Sequence, residues 1–355
     1  MHPGNPKIRE AFARLFEQWS GEPCLAINPL PESGSYRTYA RLNGTTCQAI
    51  AVHHSDLREN RAFVAFARHF ADKQLPVPRI LMVAPDESIY LQEDLGDTDL
   101  FAILRETEGG EPPSPKRTET LEQVIDWLPR FQIEGHQGLD YSLAYPRKAF
   151  DQQSMLWDLN YFKYNFLKMV RFPFDEQALE DDFQQLVGFL SQAPVNAFLY
   201  RDFQSRNIMV RDGKPGFIDF QGGRMGFPAY DLASLLFDAK AEFTPEERRL
   251  MYDRYRENLA GYEAGWEEQL DRFYPGFILI RKMQALGAFG FRGISERKTS
   301  FLLSIPPAMK NLEWVTGHYQ LEFPAPELWR ILVELPGSAG IESICQEIKE
   351  IHVEK

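Results

Sequence analysis

The stretch FLYRDFQSRNIMVRDGKPGFIDFQGG, residues 198–223, decides how the rest of the chain is read. Two apolar segments, Asn207 to Val210 and Phe217 to Phe220, flank the turn formers Asp212-Gly213-Lys214-Pro215-Gly216, which predicts a β-hairpin. A hairpin centred near Gly213 sets position 207 opposite position 219, so the Asn207 and Asp219 side chains meet at its open end. Asp202 lies five residues before Asn207, on a loop that turns into the first strand. An aspartate and an asparagine offering hard oxygen ligands, with a second aspartate to orient a hydroxyl, suit metal-dependent phosphoryl transfer. Such a transition state needs charge neutralisation and in-line positioning more than a strong base, and a carboxylate beside the acceptor hydroxyl meets that need.

Upstream of this stretch the pattern is strands, one helix, then strands. Cys24 to Asn28, Tyr36 to Leu42 and Gln48 to His53 are extended, with Asn43-Gly44 as a turn signal. Asp56 to His69 places Phe63, Phe66, Ala67 and Phe70 at helical spacing, and Pro76-Val77-Pro78 ends the segment. Ile80 to Val83 and Ser88 to Gln92 are further strands. Beyond Leu95 the chain is mostly helical, with helices expected over 121–135, 151–170, 176–192, 231–240, 245–262, 266–289 and 306–318, and a helical tail after Pro324. Residues 105–120, charged and rich in Pro and Gly, read as an exposed loop. The expectation is an α+β chain with a small antiparallel β lobe over 1–94 and a larger helical lobe over 95–355.

Composition narrows the function. Apolar residues are 44% and charged residues 25% of the chain, which is ordinary for a globular protein. The formal charge of −12, from 51 acidic and 39 basic residues, argues against a nucleic-acid partner. The three cysteines are far apart in sequence and form neither a CxxC pair nor a zinc-spaced cluster, which fits a reducing compartment. No run approaches the roughly 18 apolar residues of a membrane span, and the N-terminal segment reads as an amphipathic helix rather than a signal peptide. A cytoplasmic protein, monomer or homodimer, acting on a small molecule is expected.

Tyr200-Arg201-Asp202 with Asn207, followed by Ile218-Asp219-Phe220, resembles the catalytic and metal-binding loops of the aminoglycoside phosphotransferase and choline kinase superfamily. The resemblance covers nearly the whole chain and implies a bilobal protein-kinase-like fold that uses ATP and Mg2+. It implies that Asp202 is the catalytic base or hydroxyl orienter and that Asn207 and Asp219 are the magnesium ligands. Tyr200 departs from the family's usual histidine. Ser33-Gly34-Ser35-Tyr36 resembles the phosphate-covering loop, with one glycine rather than several, and Gln92-Glu93-Asp94 lies in a segment similar to the hinge that reads adenine. Gln48-Ala49-Ile50-Ala51-Val52-His53 stands where the superfamily bears a phosphate-binding lysine, yet contains none, and His53 is the nearest cation candidate. Glu59 reads as the second half of a capping box with Asp56.

Within the superfamily, three stretches are similar to the bacterial cell-wall amino-sugar anomeric kinases, which also tend to lack that lysine. They are Leu91 to Thr98, Ile218 to Gln221 continuing through Tyr230-Asp231-Leu232 to Leu236, and Lys282 to Phe289 followed by Ser304-Ile305-Pro306. The resemblance implies transfer of the γ-phosphoryl group to the anomeric hydroxyl of N-acetylmuramate or N-acetylglucosamine. Gln221 is a candidate contact to phosphate or sugar, and Trp157 or Tyr161 could stack on a pyranose. Asp231 reads as a helix N-cap tied to the catalytic loop, and Arg281 and Lys282 as dipole partners of their own helix. An aminoglycoside or choline-type kinase and a nucleotide-binding pseudokinase regulator are the competing readings.

Overall fold

The computed structural model describes residues 6–31, 37–106 and 114–353. By packing, the chain divides into two compact units, Met1–Lys148 with Arg206–Arg224, and Ala149–Ser205 with Met225–Lys355.

In the first unit, helix α1 (Pro6–Ser20) is followed by strands β1 (Ala26–Pro29), β2 (Thr38–Asn43) and β3 (Gln48–His53), helix α2 (Leu57–Asp72), and strands β4 (Ile80–Val83) and β5 (Ile89–Gln92). They make a five-stranded antiparallel sheet in the order β1-β2-β3-β5-β4. Ile8, Phe12, Leu15 and Phe16 recur at helical spacing and bury one stripe of α1 against Ala40, Leu42, Ala49, Ala51, Ile89 and Leu91 on one sheet face. Strand side chains alternate between faces, so Tyr90 turns the other way, where Phe63 of α2 stacks on it at 5.2 Å. Ala49 to Val52 are buried throughout, which explains why β3 shows no polar alternation.

Two further helices follow in this unit, α3 (Leu100–Arg105), capped by Asp99, and α4 (Pro115–Pro129), capped by Ser114. The expected loop over 105–120 is therefore wrong from residue 115 onward. A serine N-cap with proline at the first helical position starts the helix there, and Pro115 marks a beginning rather than a break.

The 206–224 segment joins this unit as a hairpin, Ile208–Arg211 against Lys214–Phe217. Its register differs from the expected one by a single residue, with Ile208 opposite Phe217 and Arg211 opposite Lys214. The turn is the two-residue pair Asp212-Gly213, both at positive φ (52° and 73°), the geometry an Asp-Gly turn adopts without straining the strands. Pro215 sits inside the second strand, opposite Val210. The Val210 N–H points away to Thr98 O at 2.8 Å, so the pair is not hydrogen-bonded and the missing proline N–H removes no ladder bond. Asp219 thus lies past the strand end rather than in it, at φ 69°. That bend drops Phe220 into the core, stacked on Phe63 at 4.7 Å and edge-on to Phe70 at 5.3 Å.

The second unit is mainly helical: α5 (Gln152–Phe162), α6 (Glu176–Leu190), α7 (Ala229–Leu236), α8 (Pro245–Ala260), α9 (Trp266–Ala288), α10 (Thr299–Leu302), α11 (Ile305–His318), α12 (Pro326–Glu334) and α13 (Ala339–Val353). The long runs expected over 151–170 and 266–289 end in π-helical turns, Lys163–Leu167 and Phe289–Ser295. They meet at glycine. A Cβ on Gly290 would stand 1.7 Å from the Asn165 carbonyl oxygen, and one on Gly287 2.9 Å from the Tyr161 carbonyl carbon. Backbone cannot swing aside as a side chain can, so Gly290→Ala is expected to destabilise the protein by about 3 kcal/mol. A urea midpoint equal to that of the parent chain contradicts this.

Arg281 and Lys282 serve the dipole of another helix, not their own. The C-terminal end of α7 is closed by Arg248 Nε on Leu236 O at 3.0 Å, Arg281 Nε on Ser234 Oγ at 2.9 Å, and Lys282 Nζ towards Phe237 O at 3.4 Å. Burial, helped by Arg248 and Arg281, lowers the Lys282 ammonium to about 7. Between about 7 and about 10 the unfolded chain binds a proton that the folded chain does not, so this lysine makes stability rise with pH. Relative to Lys282→Met, the native protein should gain up to about 1.4 kcal/mol per pH unit across that window. Urea unfolding of both chains at pH 7 and 9 checks it, and a constant difference refutes it.

Candidate active site

In the first unit, the end of the hairpin gathers polar groups around one carboxylate. Ile218 N–H donates to Asn207 O at 3.0 Å, which closes the ladder. Beyond it the bend at residue 219 brings Asn207 Nδ2 to Asp219 Oδ2 at 3.3 Å. The register shift therefore leaves the expected meeting of Asn207 and Asp219 intact, made by the positive φ instead of by direct pairing. Gln221 Nε2 donates to Asp219 Oδ1 at 2.7 Å. Its Oε1 is buried and, among the described residues, has no hydrogen-bond partner, an acceptor left open beside the carboxylate.

The third donor to Asp219 went unread in the sequence. Arg37 Nη1 lies 3.4 Å from Asp219 Oδ1, and Nη2 lies 2.8 Å from Glu59 Oε2. The arginine side chain is only 1% exposed, whereas the two carboxylates are 34% and 32% exposed. Burial alone would lower the Arg37 pKa; nearby Tyr90, Tyr39, Asp219 and Glu59 outweigh it and hold the group charged. This overturns the capping-box role of Glu59. Asp56 caps α2 by accepting from Arg58 N–H at 3.0 Å, but the Glu59 carboxylate goes to Arg37. A desolvated guanidinium requires a carboxylate more than an exposed helix start does.

His53 ends β3 opposite Thr38 and Ile89, half-buried, with burial and then His54 lowering its pKa. The cation in contact with Asp219 is Arg37, not His53. In the hinge segment, Glu93 N–H donates to Arg79 O at 2.9 Å and Asp94 O accepts from Arg211 at 3.0 Å. The buried Asp94 carboxylate is held by Arg41 at 2.5 and 3.1 Å and accepts from Gly96 N–H, while Gln92 is buried in the last position of β5. Ser33, Gly34, Ser35 and Tyr36 lie outside the described residues.

In the second unit, Asp202 sits on the loop after the strand Ala197–Leu199. Asp231 accepts from Tyr200 N–H at 2.8 Å and Arg201 N–H at 2.9 Å. It lies in the first turn of α7, whose N-cap is Pro228, so the expected tie to the catalytic loop is present but the N-cap role is not. Arg201 adopts φ 80°. Its guanidinium takes Asp158 bidentately at 2.7 and 2.6 Å, takes the Tyr230 hydroxyl at 2.7 Å, and lies over the rings of Phe150 and Tyr230. At the other end Ser205 Oγ donates to Asp238 at 2.6 Å. Asp202 is thus carried between two anchored points. Of the aromatic candidates, Trp157 is 46% exposed on α5, while Tyr161 faces Phe291 with ring centres 6.4 Å apart.

The donor set fits a hard divalent cation. Magnesium keeps water and phosphate oxygens and uses one or two carboxylates; Asp219 supplies one, and Asn207, whose Nδ2 donates to it, carries a carbonyl oxygen as a second hard ligand. No group of three or more His, Cys, Asp or Glu that could hold a metal is found among the described residues.

Comparison with known proteins follows the same line. The phosphotransferase enzyme family model matches residues 26–268. The chain is 27% identical over 276 residues to an N-acetylmuramate/N-acetylglucosamine kinase of Neisseria meningitidis serogroup B, covering 75% of this chain and 78% of that protein. Among solved structures it resembles an amicoumacin kinase in complex with AMP-PNP and Ca2+, with TM-score 0.59, 11% identity, and coverage of 92% and 98% of the two chains. It also resembles a choline kinase from Cryptosporidium parvum, with TM-score 0.58, 11% identity, and coverage of 91% and 99%. These structures share the protein-kinase-like α+β fold.

Proposed function

Since the chain belongs to the phosphotransferase enzyme family and is a small-molecule kinase, we propose that it transfers the γ-phosphoryl group of ATP to the anomeric hydroxyl of N-acetylmuramate or N-acetylglucosamine. The observation that carries this reading is the contact of Asn207 with Asp219 at 3.3 Å, next to the open acceptor of Gln221. The names of the relatives, as in the Neisseria protein, support the amino sugar.

In this reading Asn207 and Asp219 hold Mg2+, which supplies charge neutralisation to the phosphate oxygens. Asp202 accepts the hydrogen bond of the sugar's anomeric hydroxyl and takes its proton as the O–Pγ bond forms and the bond to ADP breaks. The hemiacetal hydroxyl is the most acidic on a pyranose, so a carboxylate suffices as its base. Gln221 Oε1 accepts from a sugar hydroxyl or amide, and Trp157 offers a ring to the sugar face. Gln92, Glu93 and Asp94 mark the adenine end. We take the nucleotide lobe as 1–94 and the substrate lobe as 95–355. Among the described residues no helix is long and apolar enough to cross a membrane, and we assign the reaction to the cytoplasm.

The test is transfer from γ-labelled ATP to N-acetylmuramate, N-acetylglucosamine, their methyl glycosides, choline and an aminoglycoside. Label should enter the two free sugars and not the methyl glycosides, whose anomeric oxygen is blocked. Transfer to methyl glycosides, or only to choline or the aminoglycoside, overturns the substrate assignment.

A further inference from the structure

We propose that Arg37 is the phosphate-binding cation of the nucleotide site, releasing Asp219 and taking a nucleotide phosphate oxygen on Nη1 while Glu59 keeps Nη2. The proposal rests on the kinase reading above and deepens it.

Three observations carry it. The first is the inequality of the fork, 2.8 Å to Glu59 and 3.4 Å to Asp219, which makes the Asp219 arm the looser one. The second is burial. A guanidinium that is 1% exposed and always charged keeps its place only while anions face it. The third is the identity of the partner. Asp219 is the carboxylate that the functional reading gives to the metal, and a metal ion there sets a second positive charge beside Arg37. Two cations sharing one carboxylate repel one another unless a further anion enters. A polyphosphate is the anion a kinase brings, and the planar fork of arginine matches one carboxylate and one phosphate oxygen together.

Among the described residues around the sheet, the other paired arginines are engaged elsewhere. Strand β3 has no lysine, Arg41 is committed to Asp94 and Asp97, and Arg58, Arg61 and Arg79 pair with Asp56, Glu87 and Glu93. Of these arginines, Arg37 is the one that reaches Asp219.

The experiment compares affinity for MgATP with affinity for adenosine, which has no phosphate. Titration calorimetry on the full chain, its Arg37→Met variant and its Arg37→Lys variant gives both. With Arg37→Met, MgATP affinity should fall about 10- to 100-fold, the loss of one charged hydrogen bond, while adenosine affinity stays within twofold. A purely structural arginine lowers both affinities alike or neither, and either result overturns the proposal where adenosine still binds. Should Arg37→Met bind no adenosine because its fold is lost, Arg37→Lys decides. Lysine keeps the charge but lacks the planar two-pronged fork that holds Glu59 and a phosphate oxygen in fixed directions, so MgATP affinity should fall several-fold at constant adenosine affinity, and no change overturns the proposal. A parent chain that binds no MgATP overturns the kinase reading and this proposal with it.

Discussion

Replacing Asp202 by asparagine should lower kcat roughly 10²- to 10⁴-fold, the usual contribution of a positioned acid–base group, and leave MgATP affinity within a few-fold. The change keeps the shape of the side chain and removes its ability to take a proton. The loop should survive it, because its anchors lie on either side of residue 202. Asp231 holds the N–H groups of residues 200 and 201, and Asp238 holds Ser205. Steady-state kinetics with N-acetylglucosamine, beside calorimetric titration with MgATP, separate the two effects. A variant that keeps more than a tenth of the parent kcat removes Asp202 from the chemistry, and one that loses MgATP affinity in proportion makes it a binding residue instead.

Asp158→Ala should destabilise the protein by about 3–5 kcal/mol, the cost of leaving a buried guanidinium without its counter-ion. Arg201 and Asp158 side chains are 14% and 9% exposed, and the pair is bidentate. Burial opposes the Arg201 charge, and Asp158 followed by Tyr230 outweighs it to raise the pKa. Taking away the acid leaves the tyrosine hydroxyl, two ring faces and the charge of Asp202, which do not replace a bidentate counter-ion. The double variant Asp158→Ala with Arg201→Met should recover more than half of the loss, because no charge then remains to be solvated. Urea unfolding of the single and double variants is the measurement. A single-variant loss under 1 kcal/mol, or a double variant no better than the single, shows that the pair is not what holds this loop.

The five strands and α2 were legible because their signals are local. Apolar spacing in Phe63, Phe66 and Phe70, the prolines at 76 and 78, and short β-branched or aromatic runs each depend on a few neighbours. The start of α4 was equally local and was lost to composition, since a charged Pro/Gly-rich stretch hides the Ser114-Pro115 cap. The hairpin register went wrong for a related reason. Five turn-forming residues in a row leave the turn length open, and only the φ angles at 212 and 213 choose between two residues and five. That one-residue error moved a strand boundary without separating Asn207 from Asp219, because the bend at 219 restores the approach.

The misassigned acids share one cause. Glu59 beside Asp56, and Asp231 at the start of a helix, both carry strong local capping patterns, and each gives its carboxylate to a distant partner instead. A cap contributes about 1 kcal/mol, whereas a buried arginine or a pair of buried N–H groups left without an acceptor costs several.

Sequence alone was enough for the α+β class, the meeting of Asn207 with Asp219 and the family resemblance, because local residue type and spacing encode all three. Which cation faces Asp219 was decided only by the tertiary structure. Arg37 and Asp219 are 182 residues apart, and no periodicity or motif links them. Their contact comes from packing β2, α2 and the hairpin around Phe63 and Phe220, which leaves one buried positive charge to be met by the acids within its reach.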